Sequence, residues 1–192
     1  MKLCSIAVIA LAGGVIGTIH AQGARPDARL LPERGVVLKP TAFLSSRVES
    51  CSDIGVPDVP PSWTPRTDQI QELDSILGPF LAESLATSGK PLPEDTSLIR
   101  HATQLSVSDY YRQYVGIGTK EHPLIFVNGF HKLFFDWVRL ADSLGQPRGS
   151  HPAPFNWRTT AVVVCDGGVG FFAAIYDPAT KTVIEFAFNG VG

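Results

Sequence analysis

The sequence predicts an α+β fold: an antiparallel sheet of four to five strands, with one long helix packed across it and a second helix inserted between strands. Three stretches carry that reading. Ile70, Leu73, Leu77, Leu81 and Leu85 recur at three- and four-residue steps, the apolar stripe of an amphipathic helix. Tyr110, Arg112 and Tyr114 alternate with Tyr111, Gln113 and Val115, so each face of a strand would carry aromatic or apolar groups and one long polar side chain. Thr159 to Gly192 is built of runs rich in Val, Ile, Phe and Tyr separated by Gly and Pro, the pattern of two successive hairpins. A chain of 192 residues suffices for one domain with a sizeable core. The expected division is a signal peptide over 1–21, a Pro-rich arm over 22–63 and a single α+β domain over 64–192.

Lys2 precedes an apolar run from Ile6 to Ile19 that ends in Ile19-His20-Ala21, the order of a secretory signal with cleavage after Ala21. A retained anchor would need roughly 20 apolar residues, and Gly13, Gly14, Gly17 and Thr18 dilute this shorter run. The expectation is export to the periplasm or the medium, with no stable membrane insertion once the signal is removed. The formal net charge of −2 becomes −3 without Lys2, and no stripe of Lys or Arg points to nucleic acid. Cleavage would leave Cys51 and Cys165 in an oxidising compartment, where an isolated pair reads first as one disulfide and second as two free thiols.

From Gln22 to about Arg66 the chain carries Pro26, Pro32, Pro40, Pro57, Pro60, Pro61 and Pro65, so the arm is expected to be extended or irregular, with a short strand at Val36 to Leu38. Thr64 and Pro65 stand where a helix cap and first helical residue belong, Gly78-Pro79 predicts a kink or a split, and Ser88-Gly89 predicts the end. A strand over Gln104 to Gly116, a turn at Gly118 to Pro123 and a return strand over Leu124 to Val127 follow. Asn128 is then placed to cap the second helix, whose apolar face is Phe130, Leu133, Phe134, Trp137, Leu140, Ala141 and Leu144 and whose end is Gly145. That face either covers the sheet or docks a partner. Gln146 to Arg158 reads as a loop in which His151, Phe155 and Trp157 suit binding, although Phe155 and Trp157 equally suit anchoring to the core. In the last stretch, Asp166-Gly167-Gly168 is expected to make a tight hairpin turn, Asp177-Pro178 a type I turn, and Phe172, Ile184, Phe186 and Phe188 the core under the first helix.

No catalytic signature stands out. Gly168-Val-Gly170 lacks the third glycine of a dinucleotide fingerprint, and no P-loop or Gly-x-Ser-x-Gly occurs. None of His101, His122, His131 and His151 lies three or four residues from another His or a Cys, so no zinc spacing is present and no cofactor is expected. A nucleophile pair of Cys165 with a histidine would place the thiol inside a strand, without the turn that exposes a nucleophile.

Tyr110-Tyr-Arg-Gln-Tyr114, Val127-Asn128 and the ending Val164-Cys-Asp-Gly-Gly168, Tyr176-Asp-Pro178 and Phe188-Asn-Gly190 resemble uncharacterised exported bacterial proteins that share a Cys-Asp-Gly-Gly, Tyr-Asp-Pro, Phe-Asn-Gly pattern. The resemblance covers roughly Tyr110 to Gly192 and implies a signal peptide and a small α+β domain, with no activity or catalytic residue to carry over. By order of elements alone, the nearest architectures are the cystatin-like and nuclear-transport-factor-like wraps. The expected function is a non-enzymatic binding or inhibitor module whose partner is a protein or small ligand of the cell envelope, held by Phe134, Trp137, His151, Phe155 and Trp157. The alternative is a small hydrolase or thiol enzyme using Cys165 or a carboxylate pair.

Overall fold

The computed structural model describes residues 32–39, 41–42, 54, 63–87, 105–134, 156–164 and 167–189 of the chain. They form a five-stranded sheet in the order β1-β2-β3-β4-β5, crossed on one face by a single long helix. The strands are β1 (Gly35–Val37), β2 (Tyr110–Gly118), β3 (Pro123–His131), β4 (Phe171–Asp177) and β5 (Thr182–Phe188), and the helix is α1 (Thr67–Thr87). The α+β class, the strand number and the long helix agree with the sequence-based expectation. One correction concerns strand direction: β2 to β5 are antiparallel, whereas β1 pairs parallel to β2 with Gly35 opposite Arg112. A parallel neighbour needs a long return connection, and the connection from β1 to β2 contains α1.

α1 begins two residues beyond the Thr64-Pro65 signal. The Arg66 carbonyl accepts the first helical bond from Ile70, and Gln69 reaches back to accept from the Arg66 N–H at 2.9 Å, half of a capping box. Ile70, Leu73, Leu77 and Leu81 are fully buried, at about 1.5–3 kcal/mol of burial each. The helix runs unbroken through Pro79, which is exposed, so the carbonyl it leaves without a donor belongs to the exposed Ser75. The predicted split is absent for that reason.

The alternating residues of the sheet serve two different layers. Tyr110, Tyr114, Ile125, Val127, Phe172, Ala174 and Tyr176 face α1. Val115, Ile117, Phe126, Ala173 and Ile175 face the other way and are covered by Leu38, Ile54 and Ala161. The Pro-rich arm therefore supplies core residues to the second face. Trp63 closes the helix side at the far end of β2, its indole N–H donating to the Ile117 carbonyl at 2.8 Å and its ring lying where a Cβ at Gly116 would project.

Two glycines matter to this arrangement. Gly118 turns the β2–β3 hairpin at φ +81°, a conformation L side chains rarely adopt. Gly129 leaves the space that the Phe172 ring fills, with Phe172 stacked in turn on Phe186 at 5.2 Å. Gly129→Ala is expected to lower stability by about 1–3 kcal/mol by overpacking that ring. The measurement is the urea midpoint; a midpoint equal to that of the parent chain would mean that Phe172 does not need the gap.

Several local expectations are corrected. The β2 segment opens as a 3-10 turn at Val107–Asp109 and becomes strand at Tyr110 instead of Gln104. β3 runs four residues past Val127 to His131, so Asn128 and Phe130 are strand residues, and helical structure begins at 132–134. Trp137, Leu140 and Gly145 lie outside the described residues. Residues 161–164 form no ladder, so the first of the two C-terminal hairpins is absent. Gly168–Gly170 is a 3-10 turn leading into β4, not a hairpin tip. The β4–β5 hairpin does form. Asp177 accepts from the Ala179 N–H at 2.8 Å and the Thr180 hydroxyl at 3.0 Å, as a turn-opening Asp does. Ile184 is half exposed and not core, because a register shift between Ile175 and Tyr176 makes it the extra residue of a bulge on the edge strand.

Candidate recognition site

Two buried amide side chains of β2 and β3 organise the face opposite α1. Gln113 of β2 and Asn128 of β3 are directly paired and buried, and the Asn128 amide donates to Gln113 Oε1 at 2.9 Å. Gln113 Nε2 donates to the carbonyls of Trp157 at 2.5 Å and Thr160 at 2.8 Å, and its Oε1 also accepts from the Val162 N–H at 2.9 Å. Asn128 Nδ2 donates to the Val162 carbonyl at 2.8 Å. The backbone of 157–162 is thus bonded to two amide side chains and not to a neighbouring strand. A buried network of this kind holds because its donors and acceptors are paired, and here both ends of the Gln113 amide and the Asn128 Nδ2 group are bonded.

The segment so held starts with a turn. Asn156 Oδ1 accepts from the Arg158 N–H at 3.0 Å, and the Asn156 carbonyl accepts from the N–H groups of Thr159 at 3.0 Å and Thr160 at 2.9 Å. At its other end, Asn189 Nδ2 donates to the Val164 carbonyl at 2.5 Å. Anchored twice, the turn buries Trp157 and exposes Asn156, Arg158, Thr159 and Thr160.

Trp157 inserts into an aromatic cluster with an accessible rim. Its ring meets Tyr111 edge-on at 4.9 Å and Phe130 at 6.0 Å, and Phe130 is stacked on Tyr111 at 5.6 Å. Phe134 meets Phe130 at 6.4 Å and Phe171 at 5.0 Å. Two guanidinium groups lie over this cluster: Arg158 over Trp157 at 4.5 Å and Arg34 over Tyr111 at 5.6 Å. Stacking on an aromatic face orients a guanidinium while leaving its in-plane donors free to meet a planar acid. Arg34 also donates to the Ser108 carbonyl. The acid at this end of β2, Asp109, is occupied by Lys132 at 2.6 Å and the Ser106 N–H at 3.1 Å. Burial would raise the Asp109 pKa, but those two partners outweigh it and hold the carboxyl below its ordinary value.

A second titratable cluster lies between α1 and the sheet. Arg112, almost wholly buried, donates through Nη2 to Asp74 at 3.0 Å, through Nε to the Tyr114 hydroxyl at 3.0 Å, and through Nη1 to the carbonyls of Val107 and Tyr110 at 2.5 and 2.6 Å. Tyr114 donates to Asp74. Burial raises the Asp74 pKa against the pull of Arg112, and it raises Tyr114 well above the usual phenol range. Nearer the solvent, Glu72 accepts from Lys181 at 2.6 Å and Tyr176 at 3.0 Å; Lys181 first and Tyr176 second lower its pKa, while burial and then Glu72 push Tyr176 up to about 12. These contacts are directed inward, from sheet to helix. They clamp α1 in place.

Of the residues singled out from sequence, Phe134 and Trp157 meet through Phe130, while Trp137, His151, Phe155, Cys51 and Cys165 lie outside the described residues. Sequence reasoning had Phe130 on the apolar face of a helix and did not single out Tyr111, Arg34 and Arg158 for this site, nor the amide pair beneath it. The available signal was Gln113 and Asn128 themselves, amides in apolar strand positions that had to find partners. Among the described residues no group of three His, Cys, Asp or Glu could hold a metal ion, and no helix is long and apolar enough to cross a membrane. No protein-family model, curated protein or solved structure matches the chain.

Proposed function

We propose that this chain is an exported, non-enzymatic binding module that engages a partner in the cell envelope through the turn at 156–160 and the aromatic face beneath it. The observation that carries the reading is the Arg158 guanidinium, displayed from a turn whose backbone is fixed by Gln113 and stacked on a buried Trp157. Recognition residues act best when the shell behind them is rigid, because little ordering is then lost on binding. Phe134 belongs to the same cluster through Phe130. Trp137, His151 and Phe155 stay in the proposal on sequence grounds, since they lie in the segment joining β3 to the turn. Export rests on the Lys2-to-Ala21 signal pattern, and the Cys51–Cys165 disulfide on the oxidising compartment which export implies. The buried Asp74–Arg112–Tyr114 cluster supplies no acid–base centre to this reading, because its donors and acceptors are directed at one another.

The test is site-specific photo-crosslinking in envelope extract. A crosslinker installed at the exposed position 159, which leaves Arg158 in place, is expected to capture a discrete species that excess unlabelled protein competes away. The same group at the exposed position 83 on α1 is expected to capture none. Identical products from both positions, or no competed product at 159, would overturn the reading. Position 159 is a better probe than 157, since Trp157 is only 5% exposed and its loss would disturb the core as well as the surface.

A further inference from the structure

The chemistry around the turn specifies what the partner presents. Arg158 is exposed, lies over Trp157, and has no carboxylate partner among the described residues. Arg34 lies over Tyr111, and Tyr111 touches Trp157, so three consecutive contacts link the two cations across one aromatic pair. Asp109, next in the chain to Ser108 whose carbonyl Arg34 meets, is already taken by Lys132. Thr160, two residues on in the same turn, is exposed as well. An exposed cation that is oriented, partly desolvated by a ring and left without a counter-charge is arranged to receive an acid from outside the chain.

The rest of the molecule limits how much acid. The chain is net acidic, and these two arginines are not extended into a basic stripe. A dense polyanion such as nucleic acid gains affinity by neutralising many phosphates at once, which two cations on a negative protein do not support. A short acidic peptide, in which one or two carboxylates meet the guanidinium edges while neighbouring apolar atoms lie against Tyr111, fits both the charge and the aromatic rim.

Resting on the binding reading above, we infer that the Arg158–Trp157–Tyr111–Arg34 surface reads carboxylates on an acidic peptide segment of a protein partner. The experiment is fluorescence anisotropy with the full chain and a labelled hexapeptide alternating glutamate and glycine. Its glutamine counterpart and inorganic phosphate serve as competitors. The acidic peptide is expected to bind more weakly as salt rises, and neither competitor is expected to displace it at equal concentration. Arg158→Gln is expected to weaken binding by about tenfold or more, the scale of a charged hydrogen bond. Lys120→Gln, which removes the same charge from the exposed β2–β3 turn, should change it less than twofold. Both variants should melt at the parent temperature. Equal losses in the two variants, no binding of the acidic peptide, or displacement by phosphate would each overturn the carboxylate assignment. The crosslink at position 159 separates the two levels: a competed crosslink indifferent to the acidic peptide sinks this inference and leaves the binding module standing, whereas absence of a competed crosslink sinks both.

Discussion

Arg112→Ala is expected to destabilise the fold by about 3–5 kcal/mol at neutral pH, the scale of breaking a buried ion pair from one side. The substitution leaves Asp74 without its counter-charge and the carbonyls of Val107 and Tyr110 without their donor. The loss should depend on pH in a definite direction. Burial holds the Asp74 pKa above its unfolded value, so the folded chain takes up this proton more readily than the unfolded chain does. Its favourable contribution is complete below the unfolded carboxyl value, about 3.9, and is lost as pH rises through the folded value. Without Arg112 the pull that opposes burial disappears and the Asp74 pKa rises further, so the penalty should be largest at pH 7 and smaller at pH 4. Glu72, Asp109 and Asp177 have lowered values and act in the opposite sense in both chains, losing stability as pH falls through their folded values. They cancel in the difference between variant and parent.

Urea denaturation of parent and variant at the two pH values measures this. Equal penalties at both would mean that Asp74 is not the group which Arg112 holds. If Arg112→Ala does not fold, the double variant Asp74→Leu with Arg112→Met still decides the matter. Replacing both charges with apolar side chains of similar length should recover the part of the loss that comes from the unpaired Asp74 carboxylate, while the Val107 and Tyr110 carbonyls and the Tyr114 hydroxyl stay without the Arg112 donor.

Gln113→Leu is expected to produce the second large effect, a loss of roughly 3 kcal/mol or more together with loss of the turn. Leucine fills the space but makes none of the four bonds, leaving the carbonyls of Trp157 and Thr160 and the Val162 N–H without partners and removing an acceptor from Asn128. Each buried orphan costs about 1–3 kcal/mol. Hydrogen exchange at Val162 should accelerate well beyond the change expected from global stability, since the turn would open locally while the strands stay paired. Binding through Arg158 should fall as well, although Arg158 itself is untouched. Unchanged protection at Val162 would show that the turn does not depend on the amide network.

The helix was readable because an amphipathic pattern is a local property: the stripe at Ile70, Leu73, Leu77 and Leu81 is the set that is buried. The β4–β5 hairpin was equally legible, since Asp177 and Thr180 make their turn bonds within four residues. Asn128 misled for a physical reason. An amide after a short apolar run is a good helix cap, and only a partner fifteen residues away, Gln113, makes it a strand residue instead. Likewise Ala161 to Val164 has strand-like composition, yet its backbone is claimed by side chains from β2 and β3, so it lies across the sheet without joining it.

The sequence by itself determined the fold class, the position of α1 and the last hairpin, because periodicity and turn chemistry act over a few residues. The tertiary structure alone decided that β1 joins in parallel, that Leu38 and Ile54 of the Pro-rich arm pack on the second face, and that Arg112 is a clamp. It alone brought Arg34 and Arg158 over one aromatic pair. Those outcomes rest on contacts separated by tens of residues, where burial forces each polar group to find whichever partner the packed layers bring within reach.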